Sequence, residues 1–128
     1  MSSSTTTNLF RAGLADGFLA KLDTAKIAFG DSGHDPETEE ALSANPTQTD
    51  LNNKLLTKDI LSFEKLDDYT VKAVGRLVQE ELLGVKVSEA GLFIYEGDGD
   101  GELVAIRNFG PKTKERDEVY DVEITVLF

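Results

Sequence analysis

Four apolar residues near the start of the chain recur at intervals of four positions: Phe10, Leu14, Phe18 and Leu22. This spacing places them on one face of an α-helix, and Thr7 or Asn8 is positioned to cap its first turn. Gly13 and Gly17 disfavour the helical state, so the helix must depend on packing for its stability.

A short strand and a second helix are predicted to follow. Residues Lys26–Phe29 are apolar enough for a strand that a glycine-containing turn closes. The acidic segment 34–46 has little apolar content and predicts a surface loop. Thr47 followed by Asp50 has the spacing of a capping box, in which the hydroxyl and the acid each accept a backbone N–H, so a short helix is expected through Leu56.

The second half of the chain changes to a period of two, which is typical of β-strands. Five segments carry this pattern: 60–66, 69–74, 85–95, 103–109 and 120–128. The first two are joined by a tight turn and predict a hairpin. Because the helices come first and the strands later, the predicted fold class is α+β, with an N-terminal helix and a short second helix packed on a mainly antiparallel β-sheet.

The length and the absence of cysteine limit the architecture. A chain of 128 residues can bury a proper core without metal or disulfide staples, and the predicted organisation is a polar N-terminal arm at 1–8 and one domain at 9–128. The chain has no cysteine, which excludes disulfides, thiolate catalysis and cysteine-based zinc sites.

The charge balance limits the partners. A formal net charge of −11 opposes binding to a phosphate backbone, so nucleic acid is not expected as a partner. No apolar run approaches the roughly 20 residues of a membrane span, and the first residues lack the basic end and apolar stretch of a signal peptide. We therefore expect a soluble protein, made in the cytoplasm, that does not bind membranes.

Two acidic segments could be imagined as metal sites. His34 is the only histidine, and its neighbours in the sequence are the carboxylates Asp31, Asp35 and Glu37. One histidine among loop carboxylates is not a preorganised site, so a solvated loop is the expected outcome. We predict neither a metal site nor a cofactor here.

The loop 96–102 resembles half of a calcium loop, with acids at Asp98, Asp100 and Glu102. The twelfth position counted from Asp98 is Phe109, so the closing bidentate acid is missing. A glycine-rich hairpin turn explains the same residues. No nucleophile with an orienting base is apparent anywhere in the sequence, so we do not expect an enzyme and predict no catalytic residue.

Glu89 is the most unusual residue of the strand predicted at 85–95. Alternation puts it on the same face as Val87, Gly91 and Phe93. Its carboxylate is either covered and paired, with Arg76 or Arg107 as candidates, or at an edge open to water. Gly91 in mid-strand suggests a bulge or the close approach of another backbone.

Several fragments of the chain, in order, resemble the N-terminal attachment domain of phage tail-collar fibre proteins. Lys26–Asp31 is similar to the family's I-A-x-G-D strand and turn, and Pro46–Leu51 to its P-T-x-T-x-L segment. Val87–Phe93 resembles I-x-E-x-G-L-F, and Gly101–Ile106 resembles G-x-L-I-A-V. With the N-terminal helix, the likeness covers residues 9–128. Fibres of this family continue into long shafts and receptor-binding tips, whereas this chain stops at Phe128, which favours a short adaptor.

The resemblance implies a structural virion protein, assembled in the host cytoplasm, that joins the baseplate of a contractile tail to its tail fibre. The implied partners are a baseplate wedge protein and a tail-fibre protein, and the implied oligomer is a homotrimer. Five residues are candidates for the interaction: Glu89, Gly91, Phe93, Tyr120 and Phe128. The alternative function is a small calcium-dependent or carbohydrate-binding module that uses the loop 96–102.

Overall fold

The computed structural model describes residues 4–21, 24–95 and 101–128, and this part of the chain forms one helix and seven strands. Their bounds are α1 Asn8–Leu19, β1 Ala25–Gly30, β2 Lys54–Asp59, β3 Ser62–Asp67, β4 Thr70–Leu77, β5 Lys86–Ile94, β6 Glu102–Thr113 and β7 Tyr120–Leu127. The strands form two antiparallel sheets, one in the order β2-β1-β5-β6 and one in the order β3-β4-β7.

The fold is therefore mainly β, and the predicted α+β class with two helices is wrong. The segment expected to form the second helix divides instead into a turn and strand β2. The side chain of Asn45 accepts the N–H and the hydroxyl of Thr47, and the N–H of Gln48 donates to the carbonyl of Asn45, which closes a turn. Residues from Lys54 onward then pair with β1.

The core lies between the inner faces of the two sheets. It is built from apolar residues of both sheets together with Ala15 and Phe18 of α1. The two sheets approach each other closely where Ile27 of β1 meets Gly75 of β4, since a Cβ at that glycine would overlap the isoleucine side chain. Gly75 therefore allows the sheets to pack together.

Helix α1 is present, but it packs differently from the prediction. Thr7 caps it by accepting the N–H of Phe10, as its position suggests. Phe18 is buried, whereas Phe10 and Leu14 are 60% and 45% exposed. Leu22, the fourth residue of the predicted face, lies outside the described residues. The part of the chain that the structure describes contains no helix long and apolar enough to span a membrane.

The long segment 31–53 covers the outer face of the four-stranded sheet. Leu51 packs there against Ala28 of β1 and Phe93 of β5 in a second, smaller apolar cluster. Strand β5 is consequently covered on both faces, and eight of its nine residues are buried. This arrangement makes β5 the centre of the molecule and determines the surroundings of Glu89.

Candidate functional site

Glu89 lies in the middle of β5 and is fully buried. It is opposite Gly30 of β1 on one side and Asn108 of β6 on the other, so it is not at a sheet edge. Of the two alternatives that the sequence left open, the covered carboxylate is therefore confirmed. The outcome raises the question of which groups stabilise this buried carboxylate.

Three backbone amides donate hydrogen bonds to the Glu89 carboxylate. Oε2 accepts the N–H of Ser32 at 2.8 Å and the N–H of Asn53 at 3.1 Å, and Oε1 accepts the N–H of Asn52 at 2.7 Å. All three donors belong to the segment 31–53, which has little regular secondary structure. Glu89 thus ties both ends of this segment to the central strand.

The arginines expected to pair with Glu89 are engaged elsewhere. Arg76 forms a two-pronged pair with Asp121, at 2.6 and 2.9 Å, on the outer face of the three-stranded sheet. Arg107 donates to the backbone carbonyl of Glu123. The expectation of an arginine partner was wrong because it considered only charged side chains, whereas backbone amides stabilise this carboxylate.

Two glycines allow the segment 31–53 to approach Glu89. A Cβ at Gly33 would overlap the carbonyl oxygen of Ser88 and lie 2.8 Å from the Cβ of Glu89. A Cβ at Gly30 would overlap the carbonyl oxygen of Asn53 and lie 2.8 Å from Glu89 Oε2. The glycine pair therefore permits the close backbone approach that the sequence led us to expect at Gly91.

At Gly91 itself the nearest atoms belong to side chains. An added Cβ would lie 2.8 Å from a methyl group of Leu51 and 3.1 Å from one of Leu103. Gly91 thus makes room for apolar side chains and not for a second backbone, which corrects that detail of the prediction. Phe93, two residues further along, is buried in the same cluster.

A second polar contact lies beside the carboxylate. The hydroxyl of the fully buried Ser88 accepts the N–H of Gly33 at 2.9 Å and lies 2.7 Å from His34 Nδ1. A serine beside a histidine has the residue types of a nucleophile and base. Here, however, the hydroxyl is enclosed and helps to hold the turn after β1 against β5.

Side chains around the carboxylate form a further shell of hydrogen bonds. Asp31 accepts from the side chain of Asn53 at 2.8 Å and from the hydroxyl of Ser32. The side-chain amide of Asn52 donates to the carbonyl of Ser32. We call Glu89, Ser88 and the segments 30–34 and 51–53 that contact them the carboxylate junction.

The carboxylates beside His34 serve local structure. Asp35 accepts the N–H groups of Glu37 and Thr38, which is an ordinary turn contact. Among the described residues, no three or more histidines and carboxylates lie close enough together to hold a metal ion. Of the loop 96–102, residues 96–100 lie outside the described part of the chain, so the predicted calcium-like loop has no structural outcome here.

Tyr120 and Phe128, the two predicted interaction residues near the end of the chain, do not belong to the carboxylate junction. The ring of Tyr120 packs edge-on against Phe109, with centroids 6.4 Å apart. The ring of Phe128 packs against Phe18 of α1 at 5.3 Å. The carbonyl of Phe128 accepts from Arg11 Nε at 2.7 Å, so this end of the chain is held against the helix.

Sequence reasoning missed an exposed apolar surface on α1. Besides Phe10 and Leu14, Leu9 is 86% exposed. Gly13 and Gly17 form one wall of a groove of about 480 Å³ beside this surface. Leu103 and Val104 of β6 also line it. Its remaining lining residues include the apolar Phe18, Ile94 and Phe128 and the charged Lys21 and Glu102. The four-residue spacing did reveal Phe10 and Leu14, but it assigned them to the core.

No protein-family model matches this chain, and a search of curated proteins found no match.

Proposed function

We propose that this chain is a structural virion protein that joins the baseplate of a contractile phage tail, or of a related tail-like particle, to its tail fibre. The proposal originates in the sequence resemblance to the attachment domain of tail-collar fibre proteins. The observation that carries it further is the meeting of the resembling segments in one place.

Four segments that are far apart in sequence contact one another around β5. In the pairing of β1 with β5, Gly30 is opposite Glu89 and Ala28 is opposite Gly91. On the other side, Gly91 is opposite Ile106 in the pairing of β5 with β6. The segment 46–51 contributes Leu51, which packs over Gly91.

The resembling segments thus contain residues that pack against one another, so their similarity to the family reflects the structure of the fold. The Glu89 carboxylate is saturated by three amides, and Ser88 is enclosed, so neither is free to take part in a reaction with a substrate. Residues that serve packing and not chemistry are what we expect in a structural protein that binds other proteins. This favours an adaptor over an enzyme. Residues 96–100, on which the calcium-dependent alternative depends, lie outside the described part of the chain.

Binding to the neighbouring tail proteins tests the proposal. The tagged chain should be co-expressed with the baseplate wedge protein and the tail-fibre protein encoded in the same genome, then purified in a metal chelator. We expect a complex with both proteins that survives gel filtration. An unrelated acidic protein of similar size is the control for charge-driven association.

Two outcomes would contradict the adaptor function. One is the recovery of the chain without either tail protein at micromolar concentration. The other is association that occurs only with added calcium, which would instead favour the calcium-dependent module. Cryo-electron microscopy of the particle is an independent test, in which we expect density for this chain between the baseplate and the fibre.

A further inference from the structure

Strand β7 has a free edge, and two hydrogen bonds define which of its backbone groups face that edge. β7 pairs with β4 on one side, in a register without shifts, and with no described strand on the other. The N–H of Phe128 donates to the carbonyl of Tyr69, directly before β4, so Phe128 faces β4. The carbonyl of Glu123 accepts instead from Arg107 Nη1 of β6 at 2.9 Å. The backbone groups of Glu123 therefore face away from β4.

The backbone groups of Thr125 and Leu127 face the same way as those of Glu123. In an antiparallel pair, successive residues alternate between bonding the neighbouring strand and facing away from it. Among the described residues, none makes a hydrogen bond to the N–H or the C=O of Thr125 or Leu127 on this side. A row of unpaired N–H and C=O groups is a template for another strand.

A groove of about 420 Å³ lies beside this edge. It is lined by Ile106 and Arg107 of β6 and by Glu123, Ile124 and Thr125 of β7. Neighbouring strands in a sheet are about 4.8 Å apart, so a strand that pairs with β7 must occupy the space next to its edge. The groove provides that space beside Thr125.

The core is incompletely covered where the edges of the two sheets meet. Ile124 of β7 is buried, but Val126, two residues further along the same strand, is only partly buried against the main core cluster. Val104 and Ala105 of the edge strand β6 are likewise only partly buried against that cluster. A further strand beside β7 would direct every second side chain toward these residues and remove more of their apolar surface from water.

The charges on the outer face of β7 specify the charge of the partner. Asp121 is held in a two-pronged pair by Arg76. Glu123 lies 3.7 Å from Lys72, which is closer to Glu64, at 2.8 Å, and the side chain of Glu123 is 59% exposed. Oppositely charged residues on paired strands attract each other. A lysine or arginine on the added strand would therefore be stabilised beside Glu123.

A second copy of this chain does not have the required chemistry. Two β7 edges would bring Asp121 and Glu123 of one copy close to the same carboxylates of the other, and like charges on paired strands are destabilising. The arm 4–7 and the long segment 31–53, which lie outside the strands, contain no lysine or arginine. The expected occupant is thus a segment of another protein.

We infer that the free edge of β7, at residues 123–127, is a docking site for an extended segment of another protein, which adds to the three-stranded sheet as a further strand. The segment alternates apolar residues, which face the core, with polar residues that include a lysine or arginine beside Glu123. The inference goes beyond the proposed function and does not rest on it, because the backbone groups, the groove and the charges carry it.

The test uses a synthetic peptide of about eight residues, within the usual length of a strand, in which valine alternates with lysine and threonine. The isotopically labelled full chain is titrated with this peptide up to millimolar concentration, and the amide resonances are followed by NMR. We expect saturable shifts centred on Thr125 and Leu127, with slower hydrogen exchange at both amides, because both N–H groups acquire an acceptor.

Two control peptides separate backbone pairing from other contacts. A peptide with the same side chains and every amide N-methylated cannot donate hydrogen bonds. A peptide with glutamate in place of each lysine puts like charges beside Glu123. We expect both to bind roughly tenfold or more weakly than the first peptide.

Substitutions in β7 provide a matched pair of variants. Thr125→Pro removes the free N–H but no bond to β4, and proline is tolerated at such edge positions, so the fold is retained. Thr125→Ala keeps the N–H and is the control. We expect binding roughly tenfold or more weaker for Thr125→Pro and unchanged for Thr125→Ala. Circular dichroism and thermal melting check that both are folded.

Glu123→Lys keeps the inference testable even if the proline variant does not fold. It should weaken binding of the lysine peptide and strengthen binding of the glutamate peptide, because the charge on the β7 side is reversed. An unchanged order of the two peptides would overturn the inference.

Several other results would overturn it. They are the absence of shifts at millimolar peptide, shifts centred on the free edge of β2 or β3, equal binding of the N-methylated peptide, and full binding by a folded Thr125→Pro variant. Self-association of the chain that Thr125→Pro abolishes would also overturn it, because a second copy would then be the occupant.

The result is separable from the test of the proposed function. Peptide binding at the β7 edge without a complex with either tail protein supports the docking site and contradicts the adaptor function. A complex with both tail proteins without peptide shifts at this edge contradicts only the docking site.

Discussion

At the scale of single residues, Glu89 explains how the long segment 31–53 is held in place. A carboxylate removed from water is costly unless it is hydrogen-bonded, and Glu89 accepts three backbone N–H groups. Those amides belong to a segment without regular secondary structure, so no strand or helix supplies them with an acceptor. One buried side chain therefore satisfies donors from two ends of the same segment.

Replacing Glu89 by glutamine tests this arrangement. Glu89→Gln keeps the shape but turns one acceptor into an N–H₂ group that faces backbone donors, so we expect a loss of about 2 kcal/mol or more in the free energy of unfolding. Urea denaturation measures this loss. Hydrogen exchange at the amides of Ser32, Asn52 and Asn53 should become faster.

The surface substitution Glu64→Gln is the matched control for Glu89→Gln. Glu64 is exposed and pairs with Lys72 at 2.8 Å, so its loss should change stability by less than the buried substitution. Equal effects of the two substitutions would show that the carboxylate junction adds no special stability.

Gly33 provides a second test at this scale. In Gly33→Ala, the new methyl group would overlap the carbonyl of Ser88, and backbone cannot move aside as a flexible side chain can. We expect a loss of about 3–5 kcal/mol, at the high end for a point substitution. Gly110→Ala is the control, because its nearest atom would be the carbonyl oxygen of Glu39 at 3.8 Å, an ordinary contact. A similar melting temperature for both variants would contradict this account of Gly33.

At the scale of elements, the period-two alternation predicted strands where the structure has them. The pattern from Tyr120 onward was read correctly, since Val122 and Ile124 are buried and the polar residues that alternate with them are exposed. Alternation is a reliable sign of such a strand because it requires only that one face of the strand is covered and the other exposed. The strand predicted at 85–95 is also present, as β5, although this strand is covered on both faces and eight of its nine residues are buried.

Strand β2 was missed because its determinants are not local. The spacing of Thr47 and Asp50 fits a capping box, but the amides of Asn52 and Asn53 donate to Glu89, which is far along the chain. In addition, the adjacent Leu55 and Leu56 interrupt any alternation in β2. A contact between distant residues decided the structure here, and no local pattern contains it.

The predicted face of α1 failed for a geometrical reason. Steps of four residues in a helix of about 3.6 residues per turn advance by roughly 40° each, so the direction drifts along the helix. Phe10 and Phe18 are two such steps apart and point in directions that differ by roughly 80°. Phe18 therefore reaches the core, while Phe10 remains exposed.

On the outer face of the three-stranded sheet, a cross-strand pair predicts a pH dependence. The hydrogen-bonded Arg76 guanidinium lowers the pKa of the Asp121 carboxyl from its ordinary value of 3.8. The ionised pair therefore contributes stability above that pH, and the contribution is lost as the pH falls through the lower folded-state pKa. Acid should remove a stabilising contact between β4 and β7.

Asp121→Asn should lower the melting temperature by at most a few degrees at pH 7, since both partners are partly exposed. The difference from the wild type should shrink below about pH 4 as the pair loses its charge. Asp68→Asn, at a 77% exposed side chain 4.0 Å from Lys65 Nζ, is the comparison. A difference from the wild type that is constant from pH 7 to pH 2 would rule out the ion pair as its cause.

At the scale of the whole molecule, the sequence located the centre of the carboxylate junction but not its partners. Alternation identified Glu89 as a carboxylate on an apolar face, and the structure confirms that it is covered. The partners are amides of a segment without periodic pattern, so their identity depends on the folded path of the chain. Phe10 and Leu14 of α1 were recognised as apolar helix residues, but only the tertiary structure reveals that they are exposed.

Calcium provides a test of the whole chain that does not depend on the placement of the loop 96–102. The acids Asp98, Asp100 and Glu102 lack a closing bidentate acid, so we expect weak binding at most. With a dissociation constant near millimolar, about ten millimolar calcium stabilises the fold by roughly 1.4 kcal/mol, against about 5 for a micromolar site. Melting temperatures in calcium and in chelator distinguish these cases. A rise of roughly ten degrees or more that Asp98→Asn/Asp100→Asn abolishes would favour the calcium-dependent module.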